Sequence, residues 1–379
     1  MSAVLQTLWN NKPQRNLVLL AAATLIATIA ATIAVVSDRS SVRARFVPYP
    51  LFEGLDAKLD QVDRIVYTAS RGMNGVSTIE LKRNEGGGWI VPSRGGYPVS
   101  EGLIKKTLLG VGQMEAYEPR TANPEWHRNL GLLKPEDIGS AVRVEFFKGD
   151  ERLAGLLAGK VPERAVDVKG EGLVYVRRDG EDETFLARGR LPLYKSVNDW
   201  FDPAFVDIAS DKLARVTLWA GTEKPVTLSR APGEENFDIE NAPEGRVSRG
   251  APVANKVATA ILGSHFDDVA PADTLEFPEE SPRVVFETFD GVRLAMQMAG
   301  EGGALWAKFK AEADPALVPE GEDIAPAEQR AGELNARLSA WTYKLPQDLG
   351  NQLTQSMDLL TREAGPADAM SPMPEQTAP

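Results

Sequence analysis

Two histidines, His127 and His265, and no cysteine set narrow limits on the chemistry available to this chain. Without thiols there is no disulfide, thiolate zinc site, iron–sulfur cluster, lipidated cysteine or cysteine nucleophile. The histidines share no motif, so an H-E-x-x-H metal helix cannot be built. His127 stands in Asn123-Pro124-Glu125-Trp126-His127-Arg128 with no partner set for acid–base work, and a lone histidine there reads as structural or exposed. His265 ends a stretch of helical spacing, where the helix dipole alone favours it. The neighbouring Asp267-Asp268 is a single acidic pair and reads as a solvated turn rather than a cation site. Walker A, G-x-G-x-x-G and calcium-loop patterns are missing, and Gly86-Gly87-Gly88 before Trp89 reads as a tight turn. Trp200-Phe201-Asp202-Pro203 is the one cluster that suggests recognition, with packing favoured over a ligand site. Carboxylate pairs for glycoside cleavage are defined by separation in space and cannot be picked from 54 acidic residues. The expectation is a protein that is not an enzyme, with no catalytic residue, no cofactor and no metal.

The longest apolar element is Leu17 to Val36, twenty residues with no charge, glycine or proline. As a helix it spans ~30 Å, the thickness of a bilayer core. Its ten Leu, Ile and Val contribute roughly −3 to −6 kcal/mol to insertion. A cleaved signal peptide has a shorter apolar stretch and an A-x-A end, whereas this one ends Thr32-Ile33-Ala34, so a retained single-pass anchor is favoured. Lys12 and Arg15 precede it and Arg39, Arg43 and Arg45 follow, so charge counts leave its orientation open. Ala23, Ala27 and Ala31, with Thr24, Thr28 and Thr32 beside them, recur every four residues and form a candidate helix-packing face.

Residues 1–45 carry a net charge of +4, and subtraction from −12 leaves −16 for residues 46–379. Such a surface repels nucleic acid and anionic headgroups, so no nucleic-acid partner is expected.

Within this acidic part the sequence repeats. Arg152-Leu153-Ala154 then Ala158-Gly159 recurs as Arg293-Leu294-Ala295 then Ala299-Gly300. Pro98-Val99 leading to Leu109-Gly110 recurs as Pro252-Val253 leading to Leu262-Gly263. Val174 to Arg177 matches Leu305 to Lys308, and Leu193, Val197 and Trp200 match Leu334, Leu338 and Trp341. Each copy places alternating strands before a helical stretch (Pro98–Met114, Val253–Phe266) and a hairpin (Val142–Phe147 with Leu153–Leu157, Arg283–Phe289 with Arg293–Met298). Strands grouped around one helix point to an α+β fold with largely antiparallel sheets. The expected order is an N-terminal flank (1–16), a transmembrane helix (17–36), a juxtamembrane linker (37–59) and two tandem related modules (60–207 and 212–350). A terminal helix (351–363) and a disordered, proline-rich tail (364–379) follow. Residues 160–172 and 315–326 read as loops.

The anchor, the alternating strand pair, Trp89 leading to Tyr97-Pro98-Val99, Leu130-Gly131-Leu132 before Pro135, Gly172 to Arg177 and Trp341-x-Tyr343 together resemble a bacterial family catalogued as domain of unknown function 4340. The resemblance covers roughly residues 50–350. It implies an accessory part of an ABC-type export system, including those of gliding motility. The implied location is the bacterial inner membrane with the C-terminal domain in the periplasm, and the implied partner is a transmembrane protein such as an ABC-type permease. It carries no catalytic residues. The expected function is therefore a membrane-anchored accessory or scaffold protein, with a periplasmic ligand or envelope-polymer binding module as the alternative and a carboxylate-based hydrolase behind both.

Overall fold

The computed structural model describes residues 12–163, 165–167, 170–202, 206–221 and 224–365. The chain parts into two compact units, the first made of residues 1–78 and 104–195, the second of 79–103 and 196–379. Residues 79–103 and 196–207, expected in the first module, thus group with the second. The mixed helix and antiparallel-sheet class is as expected.

The first described element is helix α1 (Lys12–Arg45). The side chains described within its uncharged run are those of residues 20–35, about 24 Å of helix. Among the described residues no helix is long and apolar enough to cross a membrane; the side chains of residues 17–19 and 36 lie outside them. What was expected as a linker, 37–59, is structured. The helix continues to Arg45, strand β1 (Tyr49–Pro50) follows, and residues 56–61 form a 3-10 turn. Leu51 and Leu55 are buried, so hydrophobic burial fastens this stretch to the first unit.

Next come β2 (Arg64–Ser70), β3 (Val76–Arg83), β4 (Trp89–Val91), β5 (Tyr97–Pro98), α2 (Glu101–Gly112), β6 (Glu115–Pro119) and the one-turn α3 (His127–Leu130). They are followed by β7 (Val142–Lys148), β8 (Glu151–Ala158), β9 (Leu173–Arg178) and β10 (Thr184–Arg188). Within the first unit the sheet order is β1-β6-β10-β9-β8-β7-β2, with its ladders antiparallel. Ile65, Tyr67, Val144, Phe146, Leu156 and Val176 alternate onto its core face. The opposite face is covered at one end by the segment before β7, where Leu132 packs on Ala141, Leu157, Leu130 and Tyr175. The described residues of the loop expected at 160–172 are mostly exposed, but buried Asp167 pins it through its carboxylate, which pairs with Arg188 at 2.9 Å.

The second unit continues with β11 (Leu213–Trp219), β12 (Val226–Ser229), β13 (Asp238–Ile239), β14 (Arg246–Ser248), α4 (Ala251–Ala258), β15 (Asp268–Pro271), β16 (Arg283–Thr288), β17 (Val292–Glu301) and β18 (Ala304–Ala313). It ends with α5 (Ala325–Leu338), β19 (Trp341–Leu345), α6 (Gln347–Leu353), α7 (Met357–Leu360) and β20 (Thr361–Glu363). Its main sheet runs β13-β12-β11-β16-β17-β18-β19-β15, and β14 pairs with β20. Three sequence expectations change here. Helix α4 stops at Ala258 instead of reaching Phe266, because tight turns with Gly263 at φ +67° take over. Helix α5 occupies sequence read partly as loop; Ala327, Ala331, Leu334 and Leu338 form its buried stripe. The expected terminal helix 351–363 is instead the end of α6, α7 and a strand, since Thr361 is buried and its backbone pairs with Ser248. Of the tail, residues 366–379 lie outside the described residues, as do 1–11 of the N-terminal flank.

The two units share one strand order: β2-β7-β8-β9-β10-β6 in the first and β11-β16-β17-β18-β19-β15 in the second. Ladder register fixes the equivalences. Val144 pairs with Leu156 as Val284 pairs with Met296, and Phe146 with Ala154 as Phe286 with Leu294. Arg152 and Arg293 hold the same place, but a bulge at Leu153 shifts everything beyond it by one residue, so Ala154 stands where Leu294 does. The fourth sequence match fails. Trp200 follows β10 in a 3-10 turn, whereas Trp341 opens β19, the counterpart of β10 itself.

Candidate functional site

Residues 20–35 of α1 are all exposed, Leu20 and Ile26 by about two thirds. Apolar and small residues face every direction, including the expected packing positions Ala23, Thr24, Ala27, Thr28, Ala31 and Thr32. The threonine hydroxyls are not free donors. Thr24 donates to the Leu20 carbonyl at 2.9 Å, Thr28 to Thr24 at 2.8 Å and Thr32 to Thr28 at 2.8 Å. Back-bonding of this kind hides the polar hydrogen inside the helix's own ladder and leaves an apolar outer surface. Among the described residues, none covers the side chains of 20–35.

The residues weighed for chemistry are mostly structural. His127 is buried and its Nε2 lies 2.9 Å from the Asp182 carbonyl, tying α3 to the turn before β10. His265 is exposed and seven residues past the end of α4, so the helix dipole does not explain it. Asp268 accepts from the Arg94 guanidinium and from the Val269 amide, and the Asp267 carbonyl accepts from Asn198. That acidic pair is a structural junction within the second unit. Gly86 to Gly88 form the turn between β3 and β4, with the Gly87 amide donating to Asn84 O and Gly88 to its side chain. Among the described residues no cluster of His, Asp or Glu could hold a metal ion.

Trp200 and Phe201 lie in the core of the second unit. Phe201 stacks on Phe266 at 5.4 Å, and Tyr97 meets Phe201, Phe266, Trp341 and Tyr343 with ring centroids 4.9–6.2 Å apart. Burial pushes the Tyr343 and Tyr97 phenols above their ordinary range, so both stay neutral. Tyr97 belongs to the stretch 79–103, and these ring contacts explain why that stretch groups with the second unit.

The second unit has a cavity of about 240 Å³ lined by Ile208, Lys212, Thr288, Asp290, Arg330 and Leu334. It is smaller than usual ligand pockets of ~300–1,000 Å³. Its charges are also matched: Lys212 faces Asp290 at 3.5 Å, and Arg330 bonds Asp207 at 3.3 Å. The displaced carboxylates point the same way. Glu136 and Glu312 are held below the usual range first by hydrogen bonds from Arg143 and Lys310, and Glu240 first by Ser229 and then by Arg215.

The family model described as domain of unknown function (DUF4340) matches residues 89–281, from β4 to the loop before β16. The chain belongs to this family. The match covers just over half of the chain and runs through parts of both units. No curated protein and no solved structure matches the chain.

Proposed function

We propose that this member of the family is a non-enzymatic accessory protein, anchored by one helix over Leu17–Val36, that acts by binding a membrane protein partner. The observation that carries the reading is the exposed, all-round apolar surface of α1, with its threonine hydroxyls folded back onto the helix. Such a surface is stable in lipid and costly in water. Placement of residues 46–379 in the periplasm, with a permease of the ABC type as partner, extends the proposal along the resemblance drawn from the sequence. The small, charge-matched cavity weighs against a small-ligand carrier.

The test is extraction and labelling. The full chain should stay in the membrane pellet after alkaline carbonate and leave only with detergent. The cysteine-free sequence allows Met73→Cys at a fully exposed position. A membrane-impermeant maleimide added to intact spheroplasts should label it. Release by carbonate refutes the anchor, and labelling only after lysis refutes the periplasmic placement.

A further inference from the structure

The shared register allows the outer faces of the two sheets to be compared residue by residue. In the first unit one cross-strand row reads Thr68, Arg143, Leu157, Arg177, and its counterpart in the second reads Trp219, Arg283, Gln297, Lys308. The sequence repeats with it: Arg143-Val144-Glu145-Phe146 and Arg283-Val284-Val285-Phe286.

In the first unit this row is covered by the chain's own segment before β7. Glu136 grips Arg143 through both oxygens, one at 2.9 Å, and the Leu132 carbonyl accepts from Arg177 at 3.2 Å. Leu132 itself packs on Leu157 and Tyr175. In the second unit the corresponding connection is residues 272–282, against 120–141 in the first. It offers Phe277, over which Lys308 sits at 4.8 Å, and the Phe277 and Pro278 carbonyls, which hold Gln297. It carries Asp273, Glu276, Glu279 and Glu280, but none of them forms an ion pair with Arg283 as Glu136 does with Arg143. Arg283 is exposed and lies over the Trp219 ring at 4.6 Å, and among the described residues neither it nor Lys308 forms an ion pair.

We propose that this row, centred on Trp219 and Arg283, is the partner-docking surface, and that what docks is an acidic peptide segment of a partner protein. Its carboxylate takes on Arg283 the place that Glu136 takes on Arg143. Trp and Arg are both enriched among binding hot spots, and a planar guanidinium matches a carboxylate bidentately. Arg283 and Lys308 are two strands apart, about 10 Å, which a short extended segment can span. The inference rests on the reading that the chain binds a protein partner; the carbonate extraction and the experiment below fail independently.

The probe is a fluorescein-labelled peptide copying Leu130–Gly139, offered in trans to the full chain in detergent, with a Glu136→Gln peptide as comparison and anisotropy as readout. The acidic peptide is expected to bind saturably, at least tenfold tighter than the Gln peptide. Arg283→Ala and Trp219→Ala should each weaken it at least tenfold, while Lys58→Ala in the first unit leaves it unchanged. Melting curves that match wild type show that the variants fold; for a variant that does not, Arg283→Lys provides the readout, retaining charge but losing bidentate geometry and most of the affinity. No saturable binding, or binding indifferent to both Arg283 variants, overturns the proposal. Arg283-dependent binding of polygalacturonate that displaces the peptide also overturns it, in favour of an acidic glycan.

Discussion

Gly95→Ala tests the placement of residues 79–103 in the second unit. Gly95 closes a 3-10 turn with φ +66°, and a Cβ there would stand 2.4 Å from Pro271 Cγ, 2.9 Å from its Cδ and 3.5 Å from Trp341 Cζ3. Gly87 is the natural control: its φ is +84°, but a Cβ meets nothing within 4 Å. Both alanines carry the left-handed backbone cost of roughly 1–2 kcal/mol. Only Gly95→Ala adds overpacking, typically ~1–3 kcal/mol, and Pro271 yields poorly because its ring is rigid and its backbone is paired opposite Trp341. The expected losses are therefore about 1–2 kcal/mol for Gly87→Ala and about 2–5 kcal/mol for Gly95→Ala. Urea unfolding of the full chain in mild detergent, followed by tryptophan fluorescence, measures both, and an unchanged slope licenses the comparison. Equal losses in the two variants refute the close approach of Gly95 to Pro271, and with it the membership of this stretch in the second core.

Ile29→Arg should lower membrane insertion by roughly 3–4 kcal/mol, enough to cancel most of the ten aliphatics' contribution, so part of the chain should appear in the carbonate supernatant. Arg177→Met removes a buried guanidinium that donates to the Leu132 and Glu181 carbonyls at 3.2 and 2.8 Å. The orphaned carbonyls should lower stability by about 1–3 kcal/mol in thermal melts, and an unchanged melt would contradict the burial of that guanidinium. Glu136 has a depressed pKa in the folded chain, chiefly because Arg143 donates to it. Its contribution to stability is therefore full above the ordinary carboxylate range and disappears as pH falls through the depressed value. Glu136→Gln should accordingly lower the melting temperature at pH 7 and make no difference once the wild-type carboxylate is protonated; a deficit that persists in acid would assign the loss to packing instead.

Local pattern was enough for the α+β class, the β7–β8 and β16–β17 hairpins and the turn at Gly86–Gly88, because each depends on neighbours within a few residues. The repeat was legible where strands keep register, as at Val174–Arg177 and Leu305–Lys308, and misleading at Trp200 and Trp341, where similar residues serve different elements. Helix α5 was missed although Ala327, Ala331, Leu334 and Leu338 keep helical spacing, because the prolines before it drew the reading toward a loop. Membership of residues 79–103 in the second unit could not be read from spacing, since Tyr97 finds Phe201, Phe266, Trp341 and Tyr343 only after folding. The same holds for the Trp219–Arg283 row. Arg143 and Arg283 look alike in sequence, and only the tertiary structure decides that one is covered by Glu136 while the other stays open, because ion pairing depends on distances that the chain sets by its long-range connections.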